Sequence, residues 1–187
     1  MTIALMAFRR VGAVIAVMGR MSPVWAGSET PPTVLVADDD PDAMGILTRL
    51  LAQAGMVTLP ASDGFQCLER VSQGVIDVIV LDIMMPGMGS LEVCAALKKM
   101  TAACSIPIIL LTVRDDLDTH LAAMRLGVSE FILKPASVPD LLARIRVHVE
   151  SNRKAREMDR ALHSLQGLGC SAGVRSDWRG KGNGRIV

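Results

Sequence analysis

The stretch Val75–Gly89, VIDVIVLDIMMPGMG, decides the fold. Val75 to Leu81 is an almost unbroken apolar, β-branched run, the pattern of a central parallel strand covered on both faces. It stops at a carboxylate, Asp82, and passes into a Met-, Pro- and Gly-rich segment that cannot continue a strand. Upstream lies a second short β-rich run, Thr33–Ala37 (TVLVA), which ends in three acids, Asp38, Asp39 and Asp40. Asp40 followed by Pro41 is a helix start, an N-cap carboxylate before proline at the first helical position. Ile46, Leu47, Leu50, Leu51 and Ala54 follow at helical spacing and Gly55 stops the helix.

The alternation continues on both sides of Asp82. Met56–Pro60 reads as a short strand, and Asp63–Ser72 as a helix with Phe65, Leu68 and Val71 on one side. Downstream come a helix over Leu91–Met100, a buried strand over Ile106–Leu111 ending at Thr112, and a helix over Asp115–Leu126 stopped by Gly127. Ser129–Leu133 is the last strand and ends in Lys134-Pro135. Ser137 with Asp140 resembles a capping box and opens the final helix. Five strands alternating with five helices imply an α/β fold, with a parallel sheet covered by helices on both faces.

Composition agrees with one domain of ordinary size. Half of the 187 residues are hydrophobic and 21% are charged, so the chain can bury a sizeable core. Aromatics make up 3%, with no Tyr, which argues against a stacking platform for single-stranded nucleic acid. Charge is unevenly placed: residues 33–150 carry 15 acidic and 9 basic side chains, whereas residues 151–187 carry 3 acidic and 8 basic. Cys67, Cys94, Cys104 and Cys170 are widely spaced without a CxxC pair, so neither a disulfide framework nor a zinc site is expected. Cys67 and Cys94 fall on apolar helical positions and read as small buried hydrophobes.

The ends read differently from the middle. In residues 1–32, Arg9-Arg10 precede an apolar run that Arg20 interrupts, far short of the roughly 20 residues needed to cross a bilayer. No transmembrane anchor is expected. The segment reads as an export signal or as an extra leader, with Met21 or a nearby position as the working start; the leader reading is preferred, with a cytoplasmic protein. Past the domain, Val147, Ser151, Ala155, Met158, Leu162 and Leu165 recur at spacings of 4, 4, 3, 4 and 3. This is a weak coiled-coil seam over a helical extension, residues 151–166, that could form a homodimer. Residues 167–187 hold six Gly and read as a disordered basic tail.

In an open parallel α/β sheet the ligand site lies beyond the carboxyl ends of the strands. Asp38 and Asp39, Asp82, Thr112 and Lys134 all punctuate strand ends and must therefore meet at one edge. Oxygen-only ligands select a hard ion, and Mg²⁺ typically takes one or two carboxylates with a phosphate oxygen. Asp82 stands alone after the central strand and is the best nucleophile candidate, while Asp38 and Asp39 form a metal-holding pair. Thr112 and Lys134 are placed to hold phosphoryl oxygens as charge develops.

The runs VLVADDDP, VIVLDIMMPGMG, IPIILLT and FILKP, in that order, resemble the response-regulator receiver domain of two-component signalling over about residues 33–150. The resemblance implies a flavodoxin-like fold with strand order 2-1-3-4-5 and Asp82 as phosphoacceptor for a histidine kinase or phosphotransfer protein. It implies Mg²⁺ on Asp39, Asp82 and the Met84 carbonyl, with Asp38 acting mostly through a metal-bound water. Thr112 and Lys134 would contact the phosphoryl group, and Phe131 matches the aromatic switch position. Two departures stand out. Gly89-Ser90 replace the usual Asp-Gly, altering the loop or the next helix's cap, although Ser90 can itself cap. Val113 follows Thr112 where a small residue is common, and its bulk is expected to slow donor access.

The resulting expectation is a stand-alone or truncated phosphoacceptor, not an enzyme in its own right, that signals to a protein effector through its helix 4, strand 5 and helix 5 face. Two alternatives compete with it. Asp38-x-Asp40 has the spacing of a Mg²⁺-dependent aspartyl-phosphate phosphatase, and the basic tail could serve a DNA-associated regulator. Without a helix-turn-helix, nucleic acid is the less expected partner.

Overall fold

The computed structural model describes residues 30–100, 103–113 and 117–169. The leader and the residues from 170 onward, Cys170 among them, lie outside these, so the expectations placed there are not addressed. The chain divides into two units, one ending at Arg153 and the other beginning at Lys154. The elements are β1 (Thr33–Ala37), α1 (Pro41–Gln53), β2 (Val57–Ala61), α2 (Gly64–Gln73), β3 (Val78–Asp82), α3 (Ser90–Lys99), β4 (Ile108–Thr112), α4 (Leu117–Arg125), β5 (Glu130–Leu133) and α5 (Val138–Gly169). The five strands form one parallel sheet in the order β2-β1-β3-β4-β5.

Sequence dictates the layers through strand alternation. In β3, Ile79 and Leu81 join the core beneath α2, α3 and α4, while Val78 and Val80 join the core beneath α1 and α5. All four are fully buried, which is why the run contains no polar residue before Asp82. Each such side chain contributes about 1.5–3 kcal/mol relative to remaining in water. Asp40 caps α1 as expected: its carboxylate accepts from the N–H groups of Asp42 (2.9 Å) and Ala43 (3.4 Å), and Pro41 follows. At α5, the Asp140 N–H donates to the Ser137 hydroxyl at 3.3 Å.

Several boundaries differ from the sequence reading, each for a local reason. β3 begins at Val78, because Val75 is exposed and Asp77 is consumed by a polar knot. The Asp77 carboxylate accepts from Thr33 N (2.9 Å) and Arg153 Nη2 (2.8 Å). Its carbonyl accepts from Asn152 Nδ2 (2.7 Å), and Arg153 Nη1 donates to Thr30 O (2.9 Å). These bonds satisfy a buried carboxylate and carbonyl at the amino-terminal edge of the sheet. In α2 the inward face is Cys67 and Val71; Phe65, expected inward, is 65% exposed. Asp63 is the cap of α2 and shifts the helix start to Gly64.

α5 continues to Gly169, so Gly167 and Gly169 lie in helix where a tail was expected from residue 167. A helical Gly costs about 1 kcal/mol relative to Ala, which a long helix tolerates. Val147, Ser151, Ala155, Met158 and Leu162 of the expected seam are exposed. Among the described residues no helix is long and apolar enough to cross a membrane.

Candidate functional site: an acidic pocket at the carboxyl edge of the sheet

Parallel pairing places the ends of β1, β3, β4 and β5 side by side, and the expected strand-end residues converge there. The Asp38 N–H donates to Ala61 O (3.1 Å), extending the β1–β2 ladder by one residue. Asp38 Oδ1 accepts from Asp40 N at 2.9 Å, which turns Oδ2 toward Lys134, whose Nζ donates to it at 3.1 Å. The same Nζ lies 3.2 Å from Asp82 Oδ1. Carboxylate oxygens of Asp38, Asp39 and Asp82 lie within 4.8 Å of one another. Asp38 and Asp82 are buried and Asp39 is exposed, so the cluster is open on one side.

Thr112 and Lys134 are tied through the backbone, the Lys134 N–H donating to Thr112 O at 2.6 Å. Thr112 is wholly buried, and the Lys134–Pro135 peptide is cis. Met84, whose carbonyl was expected as a ligand, is half exposed.

Burial is the strongest influence on Asp82 and raises its pKa; Asp38 adds to the rise, while Lys134 and the Met84 N–H oppose it without cancelling it. Burial also disfavours the Lys134 ammonium, but Asp82 and Asp38 outweigh it and the pKa is raised. Both members of the ion pair thus move upward, for different reasons: one ammonium faces two carboxylates, and Asp82 is desolvated. Three carboxylates against one lysine leave negative charge that a cation would neutralise. Oxygen-only donors suit a hard divalent ion such as Mg²⁺.

One functional residue was misread. Gly89, not Ser90, occupies the N-cap of α3, and the Glu92 carboxylate accepts from the Gly89 N–H at 3.0 Å. The buried Ser90 hydroxyl instead lies 2.8 Å from Asp82 O and 2.7 Å from Ile83 O, holding the backbone of the candidate phosphoacceptor. Its spacing from Asp82 carries no helical or strand signal, so only the folded loop reveals the contact. Val113 is exposed, with its bulk on the surface beside Thr112. Asp40, one member of the alternative DxD pair, is engaged in capping α1.

Comparison with known proteins gives the same picture. Residues 34–146 match the response regulator receiver domain. The chain is 34% identical over 119 residues to the DNA-binding response regulator MtrA of Mycolicibacterium smegmatis, covering 64% of this chain and 51% of that protein. It is 35% identical over 132 residues to the response regulator MprA of Mycobacterium ulcerans, covering 71% and 55%. The chain thus spans about half the length of the curated relatives it matches. Among solved structures, a response regulator receiver domain protein from Clostridium thermocellum superposes with a TM-score of 0.62 at 28% identity, covering 66% of this chain and 98% of that one. The chemotaxis protein CheY4 of Vibrio cholerae gives 0.61 at 25% identity, covering 63% and 98%. A flavodoxin-like sheet in the order 2-1-3-4-5, an acidic pocket at its carboxyl edge and a match across most of the folded chain lead to one conclusion: the protein belongs to the response-regulator receiver-domain family of two-component signal transduction.

Proposed function

We propose that Asp82 accepts a phosphoryl group from a histidine kinase or phosphotransfer protein. The supporting observation is the single ammonium of Lys134 set between Asp38 and Asp82, at 3.1 and 3.2 Å, within a three-carboxylate pocket. An Asp82 carboxylate oxygen attacks phosphorus, the P–N bond of the donor breaks, and the imidazole leaves with a proton. Asp39, Asp82 and the Met84 carbonyl, with Asp38 nearby, would hold Mg²⁺, which would supply positive charge to the phosphoryl oxygens. Lys134 and Thr112 take the remaining oxygens, and Ser90 keeps the Asp82 backbone in place.

The modified pocket then draws on Thr112 and Phe131, and the change reaches a protein effector through the α4–β5–α5 face. That face carries exposed Leu117, Leu121 and Met124 on α4. On β5 and α5, Glu130 pairs with Arg144 and with His148. In this reading residues 151–166 form a helical extension, residues 167–187 belong to a basic tail, and the protein works in the cytoplasm.

The test is incubation with acetyl phosphate and Mg²⁺ beside Asp82→Ala, read by intact mass. One base-labile phosphoryl adduct on the wild type alone is the expected result. No adduct on a folded, Mg²⁺-binding wild type refutes the reading, and steady turnover of phosphomonoesters would favour a phosphatase.

A further inference from the structure

We propose that Ser90 is a positioning residue whose hydroxyl clasps the loop after Asp82, so that the Asp82 carboxylate and the Met84 carbonyl are presented together to a divalent cation. The inference rests on the phosphoacceptor reading above and assigns the loop's fixed geometry to one side chain.

The sheet creates the need for such a clasp. The Ile83 N–H donates to Leu111 O at 3.0 Å, so the Ile83 backbone faces β4 and that of Asp82 faces β1. β1 and β3 are last paired at Ala37 and Leu81, and β3 and β4 at Asp82 and Leu111. The carbonyls of Asp82 and Ile83 thus lie past the final rung on either side, where acceptors must be satisfied by other means. Ser90 Oγ lies 2.8 Å from the first and 2.7 Å from the second, and Ser90 is 3% exposed. A hydroxyl has one proton, which the two carbonyls share in a three-centre bond. Buried away from water, that bond has no ready substitute.

The same bond closes the loop. Ser90 begins α3, so its reach back to Asp82 and Ile83 joins the two ends of the segment that contains Met84. That segment is held in two further places. The Glu92 carboxylate accepts from the Gly89 N–H at 3.0 Å, and Met88 lies so near Gly64 that a Cβ there would be 3.0 Å from Met88 Cβ. Gly87, at φ +80°, makes the turn before Met88. Those holds act near α3, whereas the Ser90 hydroxyl reaches the Asp82 end. Gly89-Ser90 is also where the chain departs from the usual Asp-Gly, and a glycine at position 90 would offer no hydroxyl. With Glu92 holding the N-cap backbone, the Ser90 side chain turns back to the pocket. Without it, the peptide leading to Met84 would have to be ordered by the cation, and ordering on binding weakens affinity. The Asp82 carboxylate would keep its place at the end of β3, so a saturating cation would restore the rate of transfer.

The experiment compares the full-length wild type with Ser90→Ala, Ser90→Cys and Asp77→Ala. Ser90→Cys fills the same space with a weak donor, and Asp77→Ala lowers stability from the opposite edge of the sheet. Amide exchange of residues 83–89 is followed by mass spectrometry without metal, and Mg²⁺ affinity is read from the rise of the melting midpoint with Mg²⁺ concentration. Both Ser90 variants should exchange about tenfold faster over residues 83–89 and bind Mg²⁺ about tenfold more weakly, with β2 amides as protected as in the wild type. With acetyl phosphate their adduct should form about tenfold more slowly at scarce Mg²⁺, and within about twofold of the wild-type rate at saturating Mg²⁺. Asp77→Ala should match the wild type in loop exchange and in Mg²⁺ affinity.

Loop exchange and Mg²⁺ affinity in Ser90→Ala within about twofold of wild type overturn the clasp. Wild-type behaviour in Ser90→Cys beside a defective Ser90→Ala assigns the effect to filled space and overturns the role of the hydroxyl. A slow adduct at saturating Mg²⁺ with unchanged Mg²⁺ affinity overturns the link to the Met84 carbonyl. Absence of an adduct on a Mg²⁺-binding wild type removes the phosphoacceptor reading, while loop exchange and Mg²⁺ affinity still decide the clasp.

Discussion

Gly64 tests how closely α2 and α3 are fitted around the loop after Asp82. A Cβ added at this position would lie 2.6 Å from Val93 Cγ2, 3.0 Å from Met88 Cβ and 3.1 Å from Met88 O. Ordinary contacts of this kind are about 3.5–4 Å, so the Val93 methyl must retreat by close to 1 Å. It has little room to do so: Val93 is fully buried, and a β-branched side chain in a helix has one strongly preferred rotamer. Gly64→Ala should therefore cost about 1–3 kcal/mol from overpacking, despite the better helix propensity of Ala.

For a domain of this size 1 kcal/mol corresponds to about 3–6 °C, so the melting midpoint should fall by roughly 3–18 °C. Val93→Ala alone should cost about 2 kcal/mol for the lost methyls and the cavity. The double variant places the new methyl in that cavity, so its loss should be smaller than the sum by about 1–2 kcal/mol. Urea denaturation of the four proteins measures this cycle. Additivity within about 0.5 kcal/mol would refute the steric argument. Because the same Cβ presses on Met88 O, Gly64→Ala should also slow adduct formation on Asp82, and Val93→Ala should restore part of the rate.

Three further outcomes are expected. Asp77→Ala removes the acceptor of two donors and leaves Arg153 without its buried partner; since Arg153 keeps about a fifth of its side chain exposed, the loss should be about 2–3 kcal/mol in urea denaturation. Mg²⁺ at 100 times its dissociation constant should stabilise the wild type by about 2.7 kcal/mol, and Asp39→Asn should remove most of that gain in thermal melts with and without EDTA. Burial pushes the Cys67 thiol up to about 12 and the Cys94 thiol up to about 11, from an ordinary 9.0. A folded-state pKa above the unfolded one gives stability that is complete below pH 9 and is lost as pH rises through the folded values. Alkaline unfolding should thus steepen above pH 9, less so in the Cys67→Ala, Cys94→Ala double variant, and Cys104 should be the fast-reacting thiol among the described cysteines at pH 8.

The parts of the protein legible in the sequence are those set by periodicity and by strand ends. The buried run Val78–Leu81, the Asp40-Pro41 helix start and the convergence of Asp38, Asp39, Asp82, Thr112 and Lys134 all follow from rules that act over a few residues, plus the geometry of a parallel sheet. What escaped reading depends on neighbours distant in sequence. Asp77 looked like a polar interruption of a strand, yet it is held by Asn152 and Arg153, some 75 residues away. Ser90 looked like a helix cap because the residue type favours that role, but the tight loop after Asp82 brings two carbonyls to its hydroxyl. Phe65 sat on an apolar helical face by spacing alone, and the cap at Asp63 rotates it into solvent.

The polar knot around Asp77 also brings two remote points of the chain together. Thr30 and Arg153 are joined by a 2.9 Å hydrogen bond at the sheet edge opposite Asp82, so a short glycine-serine bridge could close the body of the domain into a ring. Reopening such a ring at Gly74-Val75, where the backbone is exposed and a Cβ at Gly74 would meet nothing, creates a circular permutant with every strand intact. In that molecule the phosphoacceptor pocket would be untouched, and the order in which β1 and β3 leave the ribosome would be exchanged.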